Sequence, residues 1–135
     1  MKNVLISIGL FFVAIIIFAI VLPFGLIYQI FDIFKTKKKK VYIADYFFKI
    51  AQCIDQLGNV VNRSIFNDVL LTKNSTNAFG DNQETISSVI GKNLEDNTLS
   101  KAGLLLNKIL NHIEPNHSII SIEENIDYPT DQLGL

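Results

Sequence analysis

The sequence has little of what disulfide-bonded proteins need. Its 135 residues include one cysteine, Cys53, and no tryptophan, and twelve basic residues against thirteen acidic ones give a net charge of −1. A single cysteine excludes an intrachain disulfide and favours a reducing compartment. Because Cys53 lies in an apolar helical pattern, we expect it to be a small buried core residue.

A basic face is also missing from most of the chain. From Val41 onward there are six basic and twelve acidic residues, and six minus twelve gives a formal charge of −6. Nucleic-acid phosphates are bound by clustered Lys or Arg. This part of the chain is therefore a poor candidate for nucleic-acid binding, and we expect no nucleic-acid partner.

Charge is absent altogether from Asn3–Phe31, which contains a 28-residue apolar run from Val4. About 20 such residues cross a hydrocarbon core as a helix, and the excess is absorbed by tilt or by a kink at Pro23. A cleaved signal peptide has an apolar region of only about 7–15 residues before a small-residue cleavage site. The sequence therefore predicts an uncleaved transmembrane helix over residues 1–34.

A polybasic segment, residues 35–40, follows the apolar run. The positive-inside rule keeps such a segment in the cytoplasm. We therefore expect α-helical anchoring in a bacterial inner membrane, with the N-terminus outside the cell's cytoplasm and residues 41–135 in the cytoplasm. The same side chains are candidates for contact with anionic lipid headgroups. They are Lys35, Lys37, Lys38, Lys39 and Lys40.

Apolar residues at spacings of three and four predict an amphipathic helix over residues 41–61. Its apolar face contains Ile43, Tyr46, Phe47, Ile50, Ile54, Leu57, Val60 and Val61; its polar stripe contains Asp45, Lys49, Gln52, Gln56, Asn59 and Arg63, with Asp55 at the edge.

Beyond this helix the pattern is mixed. Residues 66–71 fit either a helix extension or a short buried piece, and residues 73–79 have turn composition. Asp81 and Glu84 have capping-box spacing, which predicts a short helix up to Ile90 that ends at Gly91 with Lys92 near its negative end.

A third helix begins at Thr98 or Ser100 and runs to about Glu114, because Pro115 stops it. Residues 123–135 are acidic and are expected to be a flexible tail. The expected fold is therefore all-α, with one transmembrane helix, a small helical module over residues 41–122 and this tail.

Motifs that name a reaction are missing. Gly91-Lys92 lacks the preceding glycine of a phosphate-binding loop, and no H-E-x-x-H, C-x-x-C or G-x-S-x-G is present. His112 and His117 straddle a helix end, where cationic histidine is favourable. With scattered carboxylates they are a weak metal signal, so we expect no cofactor, no metal and, on balance, no enzyme.

Three short motifs nevertheless resemble a known group. Asp55-Gln56-Leu57-Gly58-Asn59, Glu84-Thr85-Ile86-Ser87-Ser88 with Gly91-Lys92, and His117 resemble small uncharacterised proteins of tailed bacteriophages and prophages. Residues 52–122 carry the resemblance, which implies a phage origin, and some of those proteins also have a membrane anchor. This chain has Asn82-Gln83 where Pro-Asp is usual and Val89 where Arg often follows.

The matched residues suggest one polar cluster between the first and second cytoplasmic helices. Its expected members are Asp55, Asn59, Glu84, Thr85, Ser87, Ser88 and His117. The cluster is either a hydrogen-bonded structural core, which we favour, or a site for a small ligand or ion.

The expected function is that of a single-pass phage protein which presents a helical interaction module at the cytoplasmic face of the host inner membrane. Its partners would be membrane lipids and a membrane or envelope-associated protein, and oligomers are possible. Two alternatives stay open: a small enzyme or metal- or ligand-binding module that uses Glu84 and His117, and a holin-like lysis protein.

Overall fold

The computed structural model describes residues 2–37 and 39–123, and the chain divides into two compact units, Met1–Phe47 and Phe48–Leu135. The described residues form six helices and no strand, so the all-α prediction is confirmed. The helices are α1 (Lys2–Lys35), α2 (Lys39–Val61), α3 (Arg63–Leu70), α4 (Ile86–Glu95), α5 (Lys101–Ile113) and α6 (His117–Glu123). Except for the backbone of Glu123, the predicted tail lies outside the described residues.

Helix α1 is the apolar element that the sequence predicts. The stretch Asn3–Lys35 is long and apolar enough to cross a membrane, and an 18-residue window within it has a mean hydropathy of 3.2. The helix runs unbroken through Pro23. Its 34 residues give a length of about 50 Å at 1.5 Å per residue, which exceeds a hydrocarbon core of about 30 Å.

A phenol links the end of α1 to the start of α2 within the first unit. The Tyr42 hydroxyl donates to Oδ2 of Asp32 at 2.6 Å and accepts from Nε2 of Gln29 at 2.9 Å. The hydrogen bond to the Asp32 carboxylate raises the pKa of Tyr42 above its ordinary value, and the bond from Gln29 opposes this effect. The neutral phenol is therefore the form that this junction holds.

The second unit is built around α4, which packs against both α5 and α6, while α3 packs against α5. Val89 and Ile90 of α4 are fully buried, and the Phe66 and Phe79 rings meet edge to face at 5.3 Å. The other buried apolar side chains of this core are Leu70, Leu71 and Leu99. Leu71 and Leu99 also form an isolated antiparallel bridge.

The helix predicted from Asp81 to Gly91 was placed wrongly. Asp81 caps no helix, because its side chain accepts from the Gln83 backbone N–H in a turn at 2.9 Å. Helix α4 begins only at Ile86, with Thr85 as its N-cap, and it continues through Gly91 to Glu95. Gly91 allows α6 to pack closely against α4, because a Cβ at this position would overlap the Ser118 carbonyl oxygen of α6.

The elements on either side of α4 follow the sequence pattern more closely. Helix α5 begins after its N-cap Ser100 and ends at Ile113, as predicted. Residues 66–70 prove to be helical, within α3, and residues 73–79 contain no helix or strand. The sequence did not predict α6, a seven-residue helix beyond Pro115.

An amphipathic helix usually buries its apolar face. The part of α2 in the second unit does the opposite. Asn59, on the polar stripe, is fully buried, whereas Ile54, Leu57 and Val61 on the apolar face are exposed. Cys53 is also exposed, so its predicted place in the core is wrong. The reason is that α2 contacts the first turn of α4 and the loop before it through hydrogen-bonding side chains, and these side chains lie on its polar side.

Candidate functional site

Asp55 lies where α2 meets the first turn of α4. Its Oδ1 accepts from the Ile86 N–H at 3.3 Å, and its Oδ2 accepts from the Ser87 N–H at 3.4 Å and the Ser87 hydroxyl at 3.0 Å. The first N–H groups of a helix have no partner within it, and a carboxylate there is favoured by the helix dipole. Asp55 therefore acts as a cap supplied by another helix.

Thr85 completes the same helix start. It has an extended backbone, and its Oγ1 accepts from the Ser88 N–H at 3.0 Å, the arrangement that a Thr N-cap makes. Thr85, Ser87 and Ser88 are all buried. Ser87 and Ser88 thus lie in the first turn of α4, and Thr85 is the cap before it.

Asn59 fixes the loop before α4. Its amide donates to the carbonyl oxygens of Asp81 at 2.9 Å and Glu84 at 2.8 Å, and its Oδ1 accepts from the Gly80 N–H at 2.8 Å. One buried side chain thereby satisfies three backbone groups. Gly80 has a φ of +125°, a backbone conformation that favours glycine.

Two further asparagines also hold loop backbone in place by hydrogen bonds, and neither was predicted from the sequence. Asn93, fully buried in α4, donates to the Asn77 carbonyl at 2.7 Å and accepts from the Thr98 hydroxyl at 2.6 Å. Asn67 of α3 exchanges two hydrogen bonds with the backbone of Phe79. No sequence motif distinguishes them from solvent-exposed asparagines; only their proximity to the turn-rich segment hinted at a role.

Glu84 and His117 have separate partners. Glu84 forms an ion pair with Lys92, and both side chains are partly exposed. Nδ1 of His117 lies 2.8 Å from Oε2 of Glu114, three residues earlier in the chain. Each predicted reactive group is therefore held by a nearby charged group, and the described contacts do not join Glu84 to His117.

A cavity of about 200 Å³ brings three of the seven predicted cluster residues together. These are Asp55, Thr85 and His117, and Glu84 is not in the lining. The lining also includes Glu114 and Phe48. The remaining lining residues are Ala51, Gln52 and Ser121.

The chemistry available at this cavity is limited. Within residues 2–37 and 39–123, no three His, Cys, Asp or Glu side chains are grouped so that they could hold a metal ion. Asp55 already accepts three hydrogen bonds, and the His117 ring is paired with Glu114. The contacts therefore describe a scaffold of helix caps and of side chains that hold loops in place, with a small cavity beside it.

The predicted lipid-contact lysines lie around the junction of α1 and α2. Lys35 is the last residue of α1, Lys39 and Lys40 begin α2, and Lys37 lies between the helices. The Nζ of Lys39 is 5.6 Å from the centre of the Phe34 ring. Lys38 lies outside the described residues.

Comparison with family models, with curated proteins and with solved structures gave no match to this chain.

Proposed function

We propose that this chain is a single-pass membrane protein of a tailed bacteriophage, anchored by α1 in the inner membrane of the host. In this proposal the N-terminus lies outside, and residues 41–135, which include the unit Phe48–Leu135, lie in the cytoplasm. That unit acts by contact with lipids and with a membrane or envelope-associated protein, without catalysis.

The observation that carries the proposal is α1 itself. Its apolar window is not buried against any other described part of the chain, and no charged residue occurs from Asn3 to Phe31. Exposed apolar surface of this extent has a high free-energy cost in water. A bilayer removes that cost, and the lysines of residues 35–40 set the orientation.

The contacts of the polar cluster support a binding module over an enzyme. Asp55 and Thr85 cap α4, Asn59 clamps a loop, and Glu84 pairs with Lys92. A side chain whose hydrogen bonds hold the fold together is less free to act on a substrate. The resemblance of the D-Q-x-x-N and E-T-I-S-S segments to phage proteins supports the proposed origin.

Alkaline extraction of membranes tests the anchor. Expressed in a bacterial host, the full chain is expected to stay in the membrane pellet at high pH. A variant with Val13→Lys and Ile17→Lys is expected to leave it, because each lysine at the helix centre costs about 3 kcal/mol of insertion free energy. Release of the unaltered chain by the alkaline wash would contradict the proposal.

The cavity beside Asp55 favours one second candidate, a site for a small ligand. Asp55 and Glu114 supply carboxylates to its wall, and His117 supplies an imidazole. Calorimetry on the full chain in detergent, with Zn²⁺, Ca²⁺ and Mg²⁺ in turn, tests the ion form of this candidate. Heat of binding that disappears in His117→Ala supports it, and the absence of heat with all three ions ends it.

A further inference from the structure

Helix α5 presents a row of apolar side chains on the outside of the second unit. Leu105, Ile109 and Ile113 follow one another at intervals of four residues, so they lie on one side of the helix. Their exposed fractions are 61%, 53% and 80%, and Leu104 is 50% exposed. Half or more of each residue is therefore left uncovered by the described part of the chain, and a contiguous apolar surface of this kind marks an interaction site.

Two lysines lie among these apolar side chains. Lys101 is four residues before Leu105, and Lys108 is three residues after it, so both are its neighbours on the helix surface. Both lysines are exposed, and within residues 2–37 and 39–123 neither forms an ion pair. We call this surface the α5 face, and it consists of Lys101, Leu104, Leu105, Lys108, Ile109 and Ile113.

The charge of α5 differs from that of the rest of the second unit. Residues 41–135 have six lysines and arginines against twelve acidic residues, yet α5 holds two of the six and no acidic residue. Helices α3 and α4 each carry one basic and one acidic residue. Glu114, which follows α5, is paired with His117. An acidic unit therefore combines positive charge with exposed apolar side chains on one helix.

This combination favours an anionic lipid bilayer as the partner. A helix that lies in a bilayer surface buries apolar side chains at the boundary of headgroups and acyl chains, while its lysines attract anionic lipids. The flexible lysine stems allow the ammonium groups to reach the headgroups from beside the apolar side chains. A second copy of the chain is disfavoured, because pairing of this face about a two-fold axis brings Lys101 and Lys108 of both copies together.

The membrane anchor brings a bilayer within reach of the α5 face. Because α1 holds the chain at the membrane, the second unit meets lipid headgroups at a high effective concentration, and a weak contact is sufficient. This step rests on the proposed function, in which residues 41–135 lie beside the cytoplasmic leaflet.

We propose that the α5 face docks on the anionic surface of the bilayer that α1 spans. Leu105, Ile109 and Ile113 enter the boundary between headgroups and acyl chains, and Lys101 and Lys108 bind lipid phosphates. The opposite side of α5 stays packed against α3, α4 and α6, so that docking requires no unfolding of the unit.

Quenching of a fluorophore by a nitroxide-labelled lipid tests the docking. In the full chain with Cys53→Ser, the fluorophore is attached at Leu105→Cys or Ile109→Cys on the face, or at Asn82→Cys, an exposed turn position before α4. The purified protein is reconstituted into vesicles of phosphatidylcholine and phosphatidylglycerol. Quenching is expected to be several-fold stronger at the two α5 positions than at the turn control, and equal quenching at all three would overturn the proposal.

Charge reversal gives the second arm. Lys101→Glu with Lys108→Glu, added to the Ile109→Cys chain, is expected to reduce quenching to the level of the turn control. The matched variant, Arg63→Glu with Lys73→Glu, changes the net charge equally at exposed positions outside α5 and is expected to leave quenching intact. Equal loss of quenching in both charge variants, or no loss in either, would overturn the assignment.

Two further measurements separate this proposal from the proposed function. Alkaline extraction of the vesicles shows whether the anchor has held, and circular dichroism shows whether each variant is folded. Release of the chain at high pH contradicts the proposed function, whereas a retained, folded chain with both α5 labels unquenched contradicts the docking alone. Quenching that requires added host membrane proteins would assign the face to a protein partner and overturn the lipid assignment.

Discussion

Asn59 shows how one residue can hold a loop. Its side chain is fully buried and bonds the backbone of Gly80, Asp81 and Glu84. In Asn59→Ala these three groups lose their partner, and each lost hydrogen bond has a net cost of about 1 kcal/mol. We expect the free energy of unfolding to fall by about 2–4 kcal/mol, measured by urea titration of the full chain in mild detergent.

The matched control is Gln56→Ala on the same helix. Gln56 makes one exposed hydrogen bond to the Gln83 carbonyl, at 3.3 Å, so we expect a change within about 0.5 kcal/mol. A similar, small change in both variants would show that the Asn59 contacts do not hold the loop.

Tyr42 gives a pH dependence at the junction of α1 and α2. The folded pKa is raised above the ordinary value of 10.0, mainly by the hydrogen bond to Asp32. The stabilising contribution is therefore complete below that value and is lost as the pH rises through the raised pKa. NMR titration of ring-labelled tyrosine is expected to show Tyr42 titrating above the normal value, and Asp32→Asn is expected to lower its pKa. An unchanged pKa in Asp32→Asn would contradict this.

At the scale of elements, α4 and α6 are packed so closely that a methyl group does not fit between them at Gly91. Alanine ordinarily favours a helix over glycine by about 0.5–1 kcal/mol. We expect the opposite sign for Gly91→Ala, a destabilisation of about 1–3 kcal/mol, because the new Cβ must displace the Ser118 backbone. Thermal unfolding followed by circular dichroism measures it.

Gly25→Ala is the control for that change. It adds the same methyl group to α1, where nothing lies within 4 Å of the new Cβ. No loss of stability is expected there. If Gly91→Ala were as stable as Gly25→Ala, the close approach of α6 to α4 would be wrong.

The sequence predicts the helices whose signals are local and misplaces those that depend on contacts. Ser100 and Pro115 bracket α5 correctly, because a cap and a breaker act within one turn. The start of α4 was misplaced because Asp81 and Glu84 also have capping-box spacing, whereas the N-cap is Thr85 and a further capping carboxylate, Asp55, comes from 31 residues earlier in the chain. Gly91 was mistaken for a helix end, since a single sequence does not show which glycine another helix approaches.

The candidate site depends on contacts in the same way. The shared motifs contain Asp55 and Ser87, which are hydrogen-bonded in the structure, and Thr85 and His117, which line one cavity with Asp55. They also included Glu84, whose partner is Lys92. Asn67 and Asn93 were missed, because an asparagine that clamps a loop looks the same in a sequence as one in solvent.

At the scale of the whole molecule, the chain consists of an apolar helix, a polybasic segment and a small helical module. The module is held by side-chain bonds to loops and by the core around Val89 and Ile90. Such an arrangement suits a protein that is positioned by a membrane and acts by contact. The class of partner depends on the orientation of the anchor, because the orientation decides which compartment the module faces.

A reporter fused to the C-terminus of the full chain tests that claim most directly. A tandem of a fluorescent protein that is active only in the cytoplasm and a phosphatase that is active only in the periplasm distinguishes the two orientations. We predict fluorescence without phosphatase activity, because the lysines of residues 35–40 stay inside. Phosphatase activity without fluorescence would contradict the account.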